Sequence, residues 1–304
     1  MLLAPKEFVR NPAALAARYT LAEAQEYTRW LATHHYENFH VVSWLLPKRL
    51  HQDFYNVYAY CRWADDLGDE IGDPAESLRL LSWWRGELES MYAGKTAHPV
   101  FVALQVTVQR YGIPQQPFDD LIRAFEQDQK VTRYAGWDEL FGYCRYSANP
   151  VGRLVLYLCG YSDPERQQLS DATCTALQLA NFWQDVWVDW EKGRVYIPLD
   201  VLARHGSTVE DIARRHAGSG FAAAMREVVD RARALFLEGL PLARLVDRRL
   251  AVDIELFSRG GMRILDKIEA QNYDVLRRRP AISKTERVWI LLGTLARVAL
   301  ARAA

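Results

Sequence analysis

The chain has 304 residues, half of them hydrophobic, with 38 basic and 38 acidic side chains. With zero formal charge, nothing points to nucleic acid or to strong attraction by anionic lipid. Its length permits two domains, and its apolar fraction is ample for one large core.

In chain order, residues 1–7 lack an apolar run of signal-peptide length. Apolar side chains then recur at intervals of three and four, which predicts helices over 21–35, 50–68, 75–93, 98–111, 117–131, 138–159, 164–190, 221–238, 248–271 and 284–302. No segment reads convincingly as a strand. Stop signals fall between helices at Gly72-Asp73-Pro74, Gly112-Ile113-Pro114, Gly160 to Pro164, and Gly218-Ser219-Gly220. Ser283 with Glu286 reads as a capping box opening the last helix. That helix holds Val288-Trp289-Ile290-Leu291-Leu292, but Arg287 and Arg297 bracket too few residues to cross a bilayer. The run Arg277-Arg278-Arg279 beside Pro280 reads as a solvated helix end. No repeat, linker or low-complexity stretch divides the chain, so one domain over 1–304 is expected. Cys61, Cys144, Cys159 and Cys174 sit in apolar helical contexts without paired spacing, as reduced cysteines of a cytosolic protein do.

Two of these helices carry carboxylates at helical spacing. Residues at i, i+3 or i+4 and i+7 share a face, which aligns Tyr58, Arg62, Asp65 (with Asp66) and Asp69 in one stripe. The same rule aligns Gln178, Asn181, Asp185 and Asp189. Asp-rich helix ends are commonly solvated surface. Here, however, the first carboxylates fall toward a helix C-terminus, where the macrodipole disfavours anions and a cation is needed to offset them. Arg62, one turn earlier, offers a planar fork for phosphate. The second stripe repeats the Asp spacing with Asn181 and Gln178 as neutral oxygen donors. Facing each other across a cavity, two such stripes would bind hard divalent cations, and Mg²⁺ favours oxygen sites completed by phosphates. The residues point to a magnesium-dependent enzyme acting on a diphosphate.

Pro150 adds a second clue, because Asn149-Pro150 interrupts a helical pattern that runs on through Leu154, Val155 and Leu158. An interior proline costs roughly 3 kcal/mol against alanine and frees the carbonyl four residues earlier, that of Tyr146. Either a loop joins two ordinary helices, or the break turns backbone oxygens toward a cavity. Other chemistries lack their residues. Only one E-x-x-H occurs, at Glu37 to His40; no histidine pair has zinc spacing; no G-x-S-x-G elbow or strand-borne glycine fingerprint is present.

On these residues the chain resembles the squalene/phytoene synthase family. Tyr58, Arg62, Asp65 and Asp69 match its first motif, and Gln178, Asn181, Asp185 and Asp189 its second. Gly193-Arg194-Val195-Tyr196-Ile197-Pro198 matches the loop that follows, and Tyr143, Ala148 and Gly152 match a tunnel-lining segment. Glu37-Asn38-Phe39, Ser43-Trp44-Leu45-Leu46-Pro47 and the stretch from Tyr143 to Gly152 resemble the bacterial hopanoid-pathway branch, which takes presqualene diphosphate and water to hydroxysqualene. Asn149-Pro150 departs from the glycine-containing version in squalene and dehydrosqualene synthases.

The resemblance implies an all-α class I isoprenoid-synthase fold, with helices around a central cavity. It implies metal ligands Asp65, Asp69, Asn181, Asp185 and Asp189, with Arg62 and Arg194 neutralising the departing diphosphate. Gln178 either lies among the ligands or orients metal-bound water or substrate. Phe39, Tyr58 and Tyr143 match lining positions, while Tyr146 is a candidate by proximity alone; each aromatic serves equally well as core packing. Tyr196 is a substrate-binding candidate from the loop. Water captured near Asn149 or the Tyr146 carbonyl would quench the cation, so Mg²⁺ and no nicotinamide is expected. The rival is head-to-head condensation of two farnesyl or geranylgeranyl diphosphates to presqualene diphosphate, squalene or a phytoene-type product. The partners expected are an isoprenoid diphosphate and no nucleic acid. The expected location is the cytoplasm, with the oily substrate compatible with contact at the inner membrane face.

Overall fold

The computed structural model describes residues 2–34 and 47–300, so Phe39, the Glu37-Asn38-Phe39 motif and the positions 43–46 lie outside the described residues. In chain order the helices are α1 (Pro5–Phe8), α2 (Pro12–Ala16), α3 (Leu21–His34), α4 (His51–Asp69), α5 (Pro74–Tyr92), α6 (Pro99–Tyr111), α7 (Gln116–Asp128), α8 (Trp137–Ser147), α9 (Asn149–Leu158), α10 (Pro164–Gln184), α11 (Val186–Glu191), α12 (Leu199–Arg204), α13 (Val209–Ala213), α14 (Ser219–Gly239), α15 (Arg248–Ala270) and α16 (Lys284–Leu300). Among the described residues there is no strand, and extended backbone pairs only at an isolated bridge between Arg133 and Val195. The all-α expectation holds.

Local chemistry sets these boundaries. Proline opens α1, α2, α5, α6 and α10, where the missing N–H is not needed. The side chains of Asn11, Asp73, Asp163 and Asp247 accept from backbone amides of the first turn, each such cap worth about 1 kcal/mol. Gly112 ends α6 at φ 60°, a left-handed conformation that glycine adopts without cost. The Ser283 box forms as read: its amide donates to Glu286 Oε2 at 2.8 Å, and the Glu286 amide donates to Ser283 Oγ at 3.2 Å.

Two predicted helices are divided. The pattern over 138–159 breaks at Ala148 (φ −111°, ψ −50°), and α9 restarts with Pro150 in its first turn. The proline thus sits where it costs no hydrogen bond, and the outcome is a one-residue joint. The pattern over 164–190 breaks at Asp185 (φ −107°, ψ 18°), which ends α10 and begins α11. The short helices α1, α2, α12 and α13 escaped the periodicity reading because so few turns cannot show a period.

The chain divides into two compact units, one of residues 1–130 and 150–162, the other of 131–149 and 163–304. In the first, α4 packs against α3, α5, α6 and α7. Trp63 of α4 stacks on Trp84 (centroids 4.9 Å apart, 7° between planes), and His98 meets Trp63 edge-on at 4.4 Å. Trp63 Nε1 donates to the Tyr27 hydroxyl at 3.1 Å, so this buried ring loses no hydrogen bond. Asn56 is fully engaged. Its amide donates to Ala103 O and Thr107 Oγ1, and its carbonyl accepts from Thr28 and Gln52. These contacts fix the rotation of α4 and leave Tyr58, Arg62, Asp65 and Asp69 on the opposite side.

In the second unit α10 packs against α14 and α15. Gly239 ends α14 where a Cβ would collide with Thr173 Oγ1, which allows α14 to approach α10 closely. Ala172, Ala176, Leu179, Ala180 and Trp183 are buried. Gln178, Asn181 and Asp185 lie on the other face of α10. All four cysteines are free thiols, and burial pushes Cys61 and Cys144 up to about 12.

Candidate active site

The first cluster belongs to the first unit. α4 ends at Asp69, so its carboxylates occupy the helix C-terminus, as anticipated. Arg62 supplies the offsetting cation through both arms of its fork: Nη1 lies 3.1 Å from Asp65 Oδ2, and Nη2 lies 2.5 Å from Asp66 Oδ1. Asp66 is buried, whereas Asp65 is half-buried and Asp69 exposed. Burial works against charge on Arg62, but Asp66 and then Asp65 outweigh it and raise its pKa above the ordinary value. Asp66 is therefore the residue that positions the Arg62 guanidinium. In sequence it stands only as a companion of Asp65, and the doubled aspartate is the signal that marks it.

The second cluster lies where α10 passes into α11. The Asp185 amide donates to Asn181 O at 2.9 Å and the Asp189 amide to Asp185 O at 2.8 Å, so the one-turn spacing survives the break. Burial, and next the charge of Asp185, push the Asp189 carboxyl up to about 7. Lys192, Arg194 and Arg279 pull the other way without prevailing. Arg279 grips Asp185 through Nε and through Nη2, the latter 3.0 Å from Oδ2. The basic run is thus not only a solvated helix end: its last member holds the second motif. No local pattern announces this, but two aspartates one turn apart in an apolar helix demand a nearby cation.

The loop after α11 is sewn to an earlier segment. Arg194 N donates to Asp189 O at 2.8 Å and Val195 N to Thr132 O at 2.9 Å. Arg133 Nη1 donates to Gly193 O at 2.6 Å. This places Arg194 within electrostatic reach of Asp189 and buries Tyr196 against Phe182, their rings parallel at 3.7 Å. Tyr143 joins the same group, 6.0 Å from Tyr196 and 6.2 Å from Phe182, with Tyr134 5.6 Å away. Tyr143, Tyr196 and Ala148 are buried; Tyr146, Gly152 and Gln178 are half-buried; Asn181 is exposed. Asn149 Oδ1 accepts from Thr175 Oγ1 of α10 at 2.9 Å, which pins the joint before α9. Trp183 is core, Trp190 lies under Arg133, and Trp187 lies under Arg215 at 3.8 Å.

The donor set suits a hard divalent cation. Burial first, and the charge of Asp185 second, disfavour the ionised Asp189 carboxylate, with amide oxygens one and two turns back, and a positive ion there would offset both.

The model of the squalene/phytoene synthase family matches residues 32–286. Hydroxysqualene synthase of Rhodopseudomonas palustris is 35% identical over 243 residues, 79% of this chain and 82% of its own length. Phytoene synthase of Thermus thermophilus is 34% identical over 258 residues, 84% of this chain and 87% of its own. The crystal structure of squalene synthase HpnC from Alicyclobacillus acidocaldarius matches with a TM-score of 0.80 at 46% identity, covering 83% of this chain and 95% of that one.

Proposed function

We propose that this chain, which belongs to the squalene/phytoene synthase family, converts presqualene diphosphate and water to hydroxysqualene and diphosphate. The observation that carries the reading is the Asp185–Asp189 pair, with Asp189 displaced to about 7 and Arg194 and Arg279 beside it. Such a cluster serves a polyanion that arrives with its own cations. The likeness to hydroxysqualene synthase and to HpnC supports the branch.

Asp65, Asp69, Asn181, Asp185 and Asp189 would hold Mg²⁺. Bound there, Mg²⁺ supplies Lewis-acid stabilisation of the leaving group. Arg62 presents a guanidinium already oriented by Asp66, and Arg194 a second one anchored through its backbone to Asp189. Both neutralise charge that grows on the diphosphate as the C–O bond breaks and the electron pair departs. Phe39, Tyr58, Tyr143, Tyr146, Ala148, Gly152 and Tyr196 would line the path of the isoprenoid, with aromatic faces attracting the cation. Gln178 orients substrate or bound water. Asn149 spends one lone pair on Thr175 and keeps its amide and second lone pair for the attacking water. Loss of diphosphate leaves a cyclopropylcarbinyl cation. A C–C bond of the three-membered ring opens to supply the electron pair of a new double bond, the water oxygen bonds to the carbon left cationic, and one water proton leaves to the released diphosphate; no nicotinamide takes part. The protein would act in the cytoplasm at the inner membrane face, where such a substrate dissolves.

The 34% identity to a phytoene synthase favours a second reading, head-to-head condensation of farnesyl or geranylgeranyl diphosphate. Incubation with Mg²⁺ and presqualene diphosphate in ¹⁸O-water, without nicotinamide, separates the two. Labelled hydroxysqualene is expected. Untouched presqualene diphosphate, with farnesyl or geranylgeranyl diphosphate consumed in a parallel tube, would establish condensation instead. Unchanged product and rate in Asn149→Ala would remove Asn149 from the quench.

A further inference from the structure

We infer that α16 docks the protein onto an anionic bilayer surface, lying along it through the face that carries Val288, Trp289, Leu292 and Leu295. Those side chains are 54%, 73%, 51% and 38% exposed, the tryptophan most of all. At 100° per residue they fall within one arc of the helix, while Thr294 and Val298, on the far side, are buried and α16 packs against α15. A row of large apolar side chains left in water at adjacent turns is a binding surface, unlike a scattered single residue.

Charge identifies the occupant. Glu286, the acidic residue of α16, is consumed by Arg263 (2.7 Å), Lys267 (3.0 Å) and the Ser283 amide. Lys284, Arg287 and Arg297 are exposed and form no ion pair among the described residues. The helix therefore carries uncompensated positive charge near both of its termini, with Lys284 at the edge of the apolar arc and Arg287 and Arg297 outside it. Lys284 stands one turn before Val288 on the same side, placed to reach headgroups while the arc sinks below them. A basic amphipathic helix with an exposed tryptophan is the composition that settles at a headgroup boundary. Two copies meeting through this face would bring like charges together. No helix among the described residues is long and apolar enough to cross a membrane. The net neutrality of the chain hid this, because charge is concentrated locally. The inference deepens the proposed reaction, since a long isoprenoid diphosphate would be drawn from the same bilayer.

The test is co-sedimentation of the full chain with vesicles of phosphatidylcholine alone, and of phosphatidylcholine with phosphatidylglycerol. A Trp289→Ser, Leu292→Ser double variant, at exposed positions that leave the core intact, is run beside it. Wild type should partition onto the anionic vesicles and be released by about 0.5 M salt. The variant should lose on the order of tenfold or more in partitioning, from the apolar area no longer buried. Turnover of detergent-dispersed presqualene diphosphate should be equal in both. Equal sedimentation of the two proteins, or none by wild type, overturns the inference. So does a wild-type dimer in sedimentation equilibrium that the variant dissolves, because the face would then meet a second copy. Failure of the detergent assay with vesicle binding intact would instead overturn the proposed reaction alone.

Discussion

Asp253 of α15 makes folding pH-dependent in an unusual direction. The residue is 2% exposed, and neither carboxylate oxygen finds a hydrogen-bond partner among the described residues. Burial, then the nearby charge of Asp247, push its pKa up to about 7. In the unfolded chain it would titrate near 3.9. Between those values the folded state binds a proton that the unfolded state has lost. Stability contributed by the neutral acid is therefore present at low pH and is lost as pH rises to 7, at about 1.4 kcal/mol per unit. The full displacement corresponds to about 4 kcal/mol, large beside the ~5–15 kcal/mol that holds a protein folded. Asp253→Asn keeps the shape and removes the titration. In urea denaturation followed by circular dichroism, the variant should gain on wild type by roughly 3 kcal/mol between pH 5 and pH 8. A gap independent of pH, or a wild type more stable at pH 8, would falsify the reasoning, because it would mean that the ionised carboxylate has a cation partner.

Arg62→Ala should destabilise the protein by about 3–5 kcal/mol, since Asp66 would stay buried with its countercharge removed. Arg62→Lys should fold nearly normally but lose turnover on the order of tenfold or more, because one ammonium cannot span Asp65 and Asp66 as the fork does; urea midpoints and kcat separate the effects. Asp185→Asn should cost on the order of a hundredfold or more in Mg²⁺-dependent rate. The stability of the metal-free protein should meanwhile change little, as the lost Arg279 ion pair is offset by removal of the charge that repels Asp189. Loss of folding in that variant would count against a crowded pair. Tyr196→Ala should cost about 3–5 kcal/mol through the cavity left beside Phe182, read from urea unfolding; unaltered stability would refute its role in packing.

Helix positions were legible because their apolar period is local, and the motif aspartates because metal binding imposes a spacing that helices display. The same locality set the limits. The apolar pattern continues through Asp185, so nothing in it marks the end of α10. Arg279 reaches Asp185 across 94 residues, beyond any local window. Tyr143 and Tyr196 meet only because the 193–198 loop folds back on 132–135, so their shared burial had no signature in either segment. Pro150 was legible as a disturbance, but its placement in the first turn of α9 required knowing that Ala148 leaves the helix.

The seam between 193–200 and 132–135 gives Arg194 a lifetime of its own. Val195, Leu199 and Asp200 donate to Thr132, Tyr134 and Ala135, so this loop is held by bonds to a connector, outside any helix ladder. Its opening need not wait for the unit to unfold; these amides should exchange with deuterium together, and sooner than those in the middle of α10. Whatever loosens 132–135 would let Arg194 drift while Asp185 and Asp189 stay in place. If Arg194 holds the departing diphosphate as proposed, a substitution at Thr132 or Arg133, remote in sequence from either carboxylate motif, would uncouple release of that anion from its formation.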